Sequence, residues 1–248
     1  MHFIGIIPAR FGSTRFPGKP LIDISGKSMI QRVYEQATKA NSLSALYVAT
    51  DDERIEKHVK AFGGNVIMTS QNAKTGTDRC LEAYEKQIEQ LFLSDDAIII
   101  NIQGDEPFID PSQINLICSC FNDKTTDIAT LAKKITDIEE LENHNVVKLV
   151  KNYDGKALYF SRHPIPFVRD IEPNSWLNSV IFFKHIGIYA YKASVLKKIS
   201  LLPISPLEKA ESLEQLRWLE NGFNIKVAET TLESVSIDTP EDIIKLKF

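Results

Sequence analysis

Short apolar runs alternate with amphipathic stretches from the first residues of this chain, and that rhythm leaves few folds open. Phe-Ile-Gly-Ile-Ile at 3–7 is apolar throughout, as in a strand buried on both faces. Over 28–40, Met29, Val33 and Ala37 return at helical spacing. A second strand is expected at 45–49, ending in Thr50-Asp51-Asp52. A helix at 53–62 then carries Ile55, Val59 and Phe62 on one face before Gly63-Gly64 closes it. A short strand at 65–69, a long amphipathic helix at 79–92 and a buried strand at 96–103 continue the series. Asp110 and Pro111 supply the cap and first-turn proline of the next helix. This alternation predicts an α/β fold, a mostly parallel sheet with helices on both faces and right-handed crossovers. Ligands of such sheets bind outside the carboxyl ends of the strands, so the segments after 7, 49, 69 and 103 are the places to look.

The second half is richer in strands, expected at 128–134, 146–150, 157–161 and 185–191. Between the last two lies a segment, 164–183, rich in Pro, Asp and Asn; loops of that length are often lids or subunit contacts. A helix is expected over 206–220, a short strand at 235–237, and a helix start of the capping-box type at Thr239-Pro240-Glu241-Asp242. The 248 residues fit a single domain, 1–248, with a β-rich lobe at about 145–200. A net charge of −4 gives no groove of bulk positive charge, so no nucleic-acid partner is expected. No apolar run approaches the roughly 20 residues that span a bilayer, so no membrane insertion is expected. The apolar N-terminus has no basic region before it, unlike a signal peptide. Cys80, Cys118 and Cys120 are odd in number and lack paired zinc spacing. They read as reduced structural thiols, which points to the cytoplasm.

The most informative stretch is 8–20, Pro-Ala-Arg-Phe-Gly-Ser-Thr-Arg-Phe-Pro-Gly-Lys-Pro, directly after the first strand. It lacks the G-x-G-x-x-G spacing of dinucleotide folds. It also fails the Walker A pattern, because five residues separate Gly12 from Gly18-Lys19 and Pro20 follows. What remains is a glycine- and hydroxyl-rich loop whose Arg10, Arg15 and Lys19 would converge on a polyphosphate. A plain solvated basic loop is the competing possibility. Two carboxylates stand at the ends of expected strands: Asp105 after 96–103 and Asp238 after 235–237. Together they could share one Mg²⁺ with phosphate oxygens and water. Equally, Asp105 could be a turn residue in Gly-Asp-Glu-Pro and Asp238 a helix cap.

Further segments join the loop in a fixed order: Asn101-Ile102-Gln103-Gly104-Asp105-Glu106-Pro107, Ala157-Leu158-Tyr159-Phe160-Ser161-Arg162, His185-Ile186-Gly187-Ile188-Tyr189, Leu213-Glu214-Gln215-Leu216-Arg217 and Asp238-Thr239-Pro240-Glu241-Asp242. In that order they resemble the 3-deoxy-manno-octulosonate (Kdo) cytidylyltransferase family, the CMP-Kdo synthetases, over nearly the whole chain. The resemblance implies the Rossmann-like nucleotidyltransferase fold. It also implies transfer of a cytidylyl group from CTP to Kdo, with pyrophosphate released and the sugar activated for lipopolysaccharide synthesis.

The resemblance further implies roles. Ala9, Arg10, Ser13, Arg15, Lys19, Thr75, Gly76, Thr77 and Arg79 would bind CTP, with Arg15, Lys19 and Asp105 catalytic. Asp105 and Asp238 would hold Mg²⁺, and Gln103, Arg162, His185, Tyr189, Glu214 and Gln215 would face the sugar. A homodimer is implied, with 164–183 a candidate contact. Read without the family, Glu214 and Gln215 would be a solvated helix face, His185 a structural histidine and Tyr189 core. Asp78 stands where Glu is also common, and Lys209 where some members carry His. Neither touches the loop or the carboxylate pair, but both leave the C8 substituent of the sugar open, so 8-amino-Kdo is the second candidate acceptor. Three different activities compete with this one. A sialic acid cytidylyltransferase would use the same chemistry on another sugar acid. A sugar transferase would hold its metal on Asp51-Asp52-Glu53, and a nucleotide-binding regulator would bind without turnover.

Overall fold

The computed structural model describes residues 1–12, 16–88, 97–233 and 235–245. Ser13 and Arg15, and the end of the helix expected over 79–92, lie outside the described residues. The chain divides into two compact units. One comprises Met1–Cys118, Ala190–Ser200 and Ser234–Phe248; the other comprises Ser119–Tyr189 and Leu201–Glu233.

In the first unit the strand His2–Ala9 lies between Ala45–Thr50 and Ala97–Asn101, parallel to both, and Val66–Met68 adds in parallel beyond Ala45–Thr50. Ile4, Ile6, Ile7, Val48, Ala49, Ile99 and Ile100 are fully buried. That is why these runs read as continuously apolar: both sheet faces are covered. The helix Met29–Ala37 starts where Ser28 accepts from the Gln31 amide, and it buries Met29, Ile30, Val33 and Ala37. The helix Glu53–Ala61 starts on Asp52, which accepts from the Arg54 amide, and buries Ile55 and Val59. The helix expected from 79 begins earlier, at Gly76. Thr75 and Asp78 close a reciprocal capping box there, so a glycine at the first helical position costs little. After Ala83 the helix widens into a π-turn, Tyr84–Ile88.

The second unit is mixed. Ile128–Lys134 pairs in parallel with Ile225–Thr230, while Lys148–Lys151 runs antiparallel to Ala157–Ser161 and to the start of Phe183–Lys192. The segment 164–183 is not all loop: it holds a turn, Pro173–Ser175, and a short helix, Trp176–Ser179. Trp176 there joins Ile135, Leu141, Val168 and Phe182 in one buried cluster.

Two further expected elements differ. The helix over 206–220 is two helices, Pro206–Glu211 and Glu214–Glu220, broken at Ser212, which takes a left-handed φ of 53°. The Arg162 guanidinium explains the break: its Nε donates to the Glu211 carbonyl at 2.7 Å, and Nη2 donates to the Ser212 carbonyl at 3.4 Å. Those carbonyls are turned out of the ladder by a partner distant in sequence. No strand forms at 235–237. Ile237 is instead held by one backbone bond to the Asp105 carbonyl, 2.9 Å, and by burial among Phe16, Ile24 and Met29. Among the described residues no helix is long and apolar enough to cross a membrane.

Candidate active site

The parallel strands of the first unit end on a cleft of about 290 Å³. Ala9, Arg10, Lys19, Thr75, Gly76, Arg79, Gln103, Asp105 and Asp238 all line it, with Pro8, Pro20, Ala73, Lys74 and Gly104. Each gets there through local structure. Gly18 adopts φ 73°, a conformation glycine takes without strain, and its amide donates to the Phe11 carbonyl at 3.0 Å. That closes the loop and launches the short turn Lys19–Leu21, so Lys19 points back toward the strand ends. Gly104 allows the ends of the first and fourth parallel strands to converge, since a Cβ there would sit 2.8 Å from the Pro8 carbonyl oxygen. The capped N-terminus at Thr75 and Gly76 forms another wall.

The chemistry concentrates on Lys19. Its ammonium donates to Asp105 Oδ2 at 2.8 Å, to the Ile237 carbonyl at 2.8 Å and to Asp238 Oδ1 at 3.3 Å. The Ile237–Asp105 backbone bond fixes the two carboxylates relative to each other. Asp242 holds Asp238 in turn, accepting from the Asp238 and Thr239 amides at 3.0 and 2.9 Å. Arg79 is buried and engaged, donating to Thr69 Oγ1 at 2.5 Å and to Asp51 Oδ2 at 3.2 Å. Thr77 is buried and does not line the cleft.

Two carboxylates of the cluster Asp51-Asp52-Glu53, a possible metal site by sequence, are otherwise employed. Asp51 pairs with Arg79, and Asp52 caps its helix while pairing with Arg54 at 2.6 Å. Among the described residues no three His, Cys, Asp or Glu side chains gather as a metal cage. A two-carboxylate site completed by phosphate and water does not need one.

The remaining sugar-side candidates lie in the second unit. The His185 ring packs on Tyr189, with centroids 5.1 Å apart, and on Phe160 at 5.3 Å; its Nε2 meets Thr130 Oγ1 at 2.9 Å. The residue as a whole is only partly buried, but the burial of its ring pushes the pKa down to about 3, so it is neutral at ordinary pH. Burial and then the charge of Glu214 push the Tyr189 phenol well up. Glu214 pairs with Arg217 at 2.6 Å, and Gln215 is buried. The Arg162 guanidinium donates to the carbonyls of Glu211, Ser212 and His144.

Several contributors were not visible in the sequence. Glu211 accepts from Ser161 Oγ at 2.7 Å and from the Arg162 amide at 2.9 Å. Lys148 is fully buried, and its ammonium donates to the carbonyls of Asn143, Val146 and Arg162. Lys74 is a cation on the cleft wall; its place directly before Thr75-Gly76-Thr77 was the available signal.

Comparison with known proteins agrees over nearly the full length. A cytidylyltransferase family model matches residues 4–234. The 3-deoxy-manno-octulosonate cytidylyltransferase of Bacteroides thetaiotaomicron is 56% identical over 246 residues, 98% of this chain and 96% of that protein. The 8-amino-3,8-dideoxy-manno-octulosonate cytidylyltransferase of Shewanella sediminis is 50% identical over 245 residues, 98% of this chain and 96% of that protein. Among solved structures, CMP:2-keto-3-deoxy-manno-octonic acid synthetase complexed with CTP matches with a TM-score of 0.88 and 42% identity, covering 99% of this chain and 96% of that one. A 4-diphosphocytidyl-2C-methyl-D-erythritol synthase, 12% identical with a TM-score of 0.64 over 99% of this chain and 97% of that one, shares the fold. With a family match of this extent and identities of this size, the chain belongs to the 3-deoxy-manno-octulosonate cytidylyltransferase family and is a nucleotidyltransferase.

Proposed function

We propose that this enzyme transfers the cytidylyl group of CTP to Kdo, giving CMP-Kdo and pyrophosphate, and so activates the sugar for lipopolysaccharide synthesis. The observation that carries the reading is the convergence of Lys19, Asp105 and Asp238 in a cleft at the strand ends, with Arg10 on its wall. Cations beside carboxylates at that edge suit a metal-bound polyphosphate. The near-full-length likeness to named relatives supplies cytidine and Kdo.

The donor set fits magnesium. Two carboxylates and a carbonyl from separate segments already converge on one cation, the Lys19 ammonium, and all three groups are hard oxygen donors. Asp105 and Asp238 would hold the ion, whose chemistry when bound is to neutralise phosphate charge and acidify the attacking hydroxyl. The anomeric hydroxyl of Kdo gives up its proton to solvent, and its oxygen forms a bond to the α-phosphorus as the bond from that phosphorus to the pyrophosphate oxygen breaks. Arg10 and Lys19 stabilise the charge that gathers on the leaving group, and by the family motif Arg15 joins them. By the family motif Gln103, Arg162, His185, Tyr189, Glu214 and Gln215 would serve the sugar, Arg162 by holding the turn at Glu211 and Ser212. A neutral His185 contributes hydrogen bonding and ring contact rather than charge. Three buried free cysteines support a cytoplasmic enzyme.

The test is pyrophosphate release by purified protein with CTP, Mg²⁺ and, separately, Kdo, 8-amino-Kdo and sialic acid. Release with Kdo is expected, and Asp105→Ala should lower kcat by about 100-fold or more. Release with 8-amino-Kdo alone would replace the acceptor. Release with sialic acid alone, or full activity in Asp105→Ala, would overturn the reading.

A further inference from the structure

We propose that Lys19 excludes divalent metal from the Asp105–Asp238 pair until a triphosphate draws its ammonium away, so that metal and nucleotide bind as one unit. The inference rests on the proposed function, in which those two carboxylates hold Mg²⁺.

The ammonium has three N–H donors, and three acceptors take them: Asp105 Oδ2, the Ile237 carbonyl and Asp238 Oδ1. An ion held by both carboxylates at roughly 2.0–2.1 Å needs the point on which their oxygens converge. That point belongs to Nζ. Two positive centres cannot both occupy it, so Lys19 and a divalent ion compete for the same oxygens.

The competition is built in rather than incidental. Lys19 leaves a backbone pinned by the Gly18–Phe11 hydrogen bond and by the buried ring of Pro20, so its side chain starts from a fixed place. The carboxylates are fixed as well, by the Ile237–Asp105 backbone bond and by Asp242 beneath Asp238. What can move is the flexible four-carbon stem of the lysine. The Lys19 side chain is 15% exposed and lines the cleft, so a phosphate oxygen arriving there reaches its ammonium without rearrangement of the backbone. Once the ammonium turns to phosphate, the pair is left doubly negative and open to the ion that the triphosphate brings. The consequence is synergy: each of metal and nucleotide binds better when the other is present.

Mn²⁺ binding to the full chain without nucleotide, read by electron paramagnetic resonance, tests this. Wild type should bind weakly, Lys19→Met at least tenfold more tightly, and Lys19→Arg, which keeps the cation, as weakly as wild type. Adding Asp105→Asn to Lys19→Met should remove the gain. Lys19→Gln is the second variant if methionine disturbs the loop, with the same expected tightening. No gain in either neutral variant would overturn the exclusion. A parallel titration with CTP separates the two ideas. If Mn²⁺ binding by the CTP-bound wild type does not depend on Asp105, the metal assignment itself fails. If that dependence holds while the neutral variants gain nothing, only the role of Lys19 fails.

Discussion

Gly104 shows how one missing side chain admits a site. A Cβ there would press on the Pro8 carbonyl at 2.8 Å, and backbone cannot yield as a flexible side chain does. Gly104→Ala should therefore cost about 1–3 kcal/mol in urea unfolding and raise the KM for CTP, because the Pro8 end of the first strand must shift. Lys148 presents the opposite case, a charge fully buried because three carbonyls receive it. Lys148→Met should destabilise by roughly 2–3 kcal/mol, read as a lower urea midpoint, since those carbonyls lose their donor. His185 carries a pH signature. Its pKa falls from the ordinary 6.5 to about 3 on burial, so the folded ring refuses a proton that the unfolded chain accepts. Nothing is lost above about pH 6.5, and stability declines as pH drops from there toward about 3. His185→Gln should flatten that decline between pH 7 and 4 in urea titrations; an unchanged slope would contradict the assignment. A structural, hydrogen-bonded His185 was among the sequence's readings, but the Gly104 and Lys148 environments were not legible. A lysine beside Val147 and Leu149, or a glycine before an aspartate, looks the same whether buried or exposed.

Elements were more legible where local chemistry alone decides them. The strands of the first unit and the helices Met29–Ala37 and Glu53–Ala61 follow apolar period and capping residues, which any short window reveals. The split after Glu211 was hidden because its cause is Arg162, 49 residues away in the chain. Likewise Ile237 lies in an irregular segment, and its backbone partner, the Asp105 carbonyl, belongs to a distant loop. The early start of Gly76–Ala83 could have been read from Thr75-x-x-Asp78, a capping box masked by the glycine between. That box also shapes the cleft wall. Thr75→Ala should cost about 1 kcal/mol of stability and raise the KM for CTP with little change in kcat. An equal fall in kcat would show that Thr75 does more than cap the helix.

Taken whole, the chain shows its catalytic logic in one dimension only as fragments. The loop at 8–20 argues for phosphate, but Lys19 and Asp238 are 219 positions apart, and no spacing rule links them. Folding brings both to the sheet edge that ligands favour. The whole molecule also bears on assembly. Phe167 and Ile181, 76% and 55% exposed, put apolar surface on the segment 164–183. If this surface seals the homodimer that the family resemblance implies, Phe167→Ser with Ile181→Ser should shift the mass seen by light scattering from dimer to monomer. A wild-type monomer would rule the homodimer out. The fate of the α-phosphorus decides the rest. In a ³¹P NMR time course with CTP, Mg²⁺ and Kdo, a phosphodiester signal, CMP-Kdo, should grow in step with pyrophosphate as CTP disappears. Growth of CDP with inorganic phosphate, or an unchanged CTP spectrum, would contradict cytidylyl transfer.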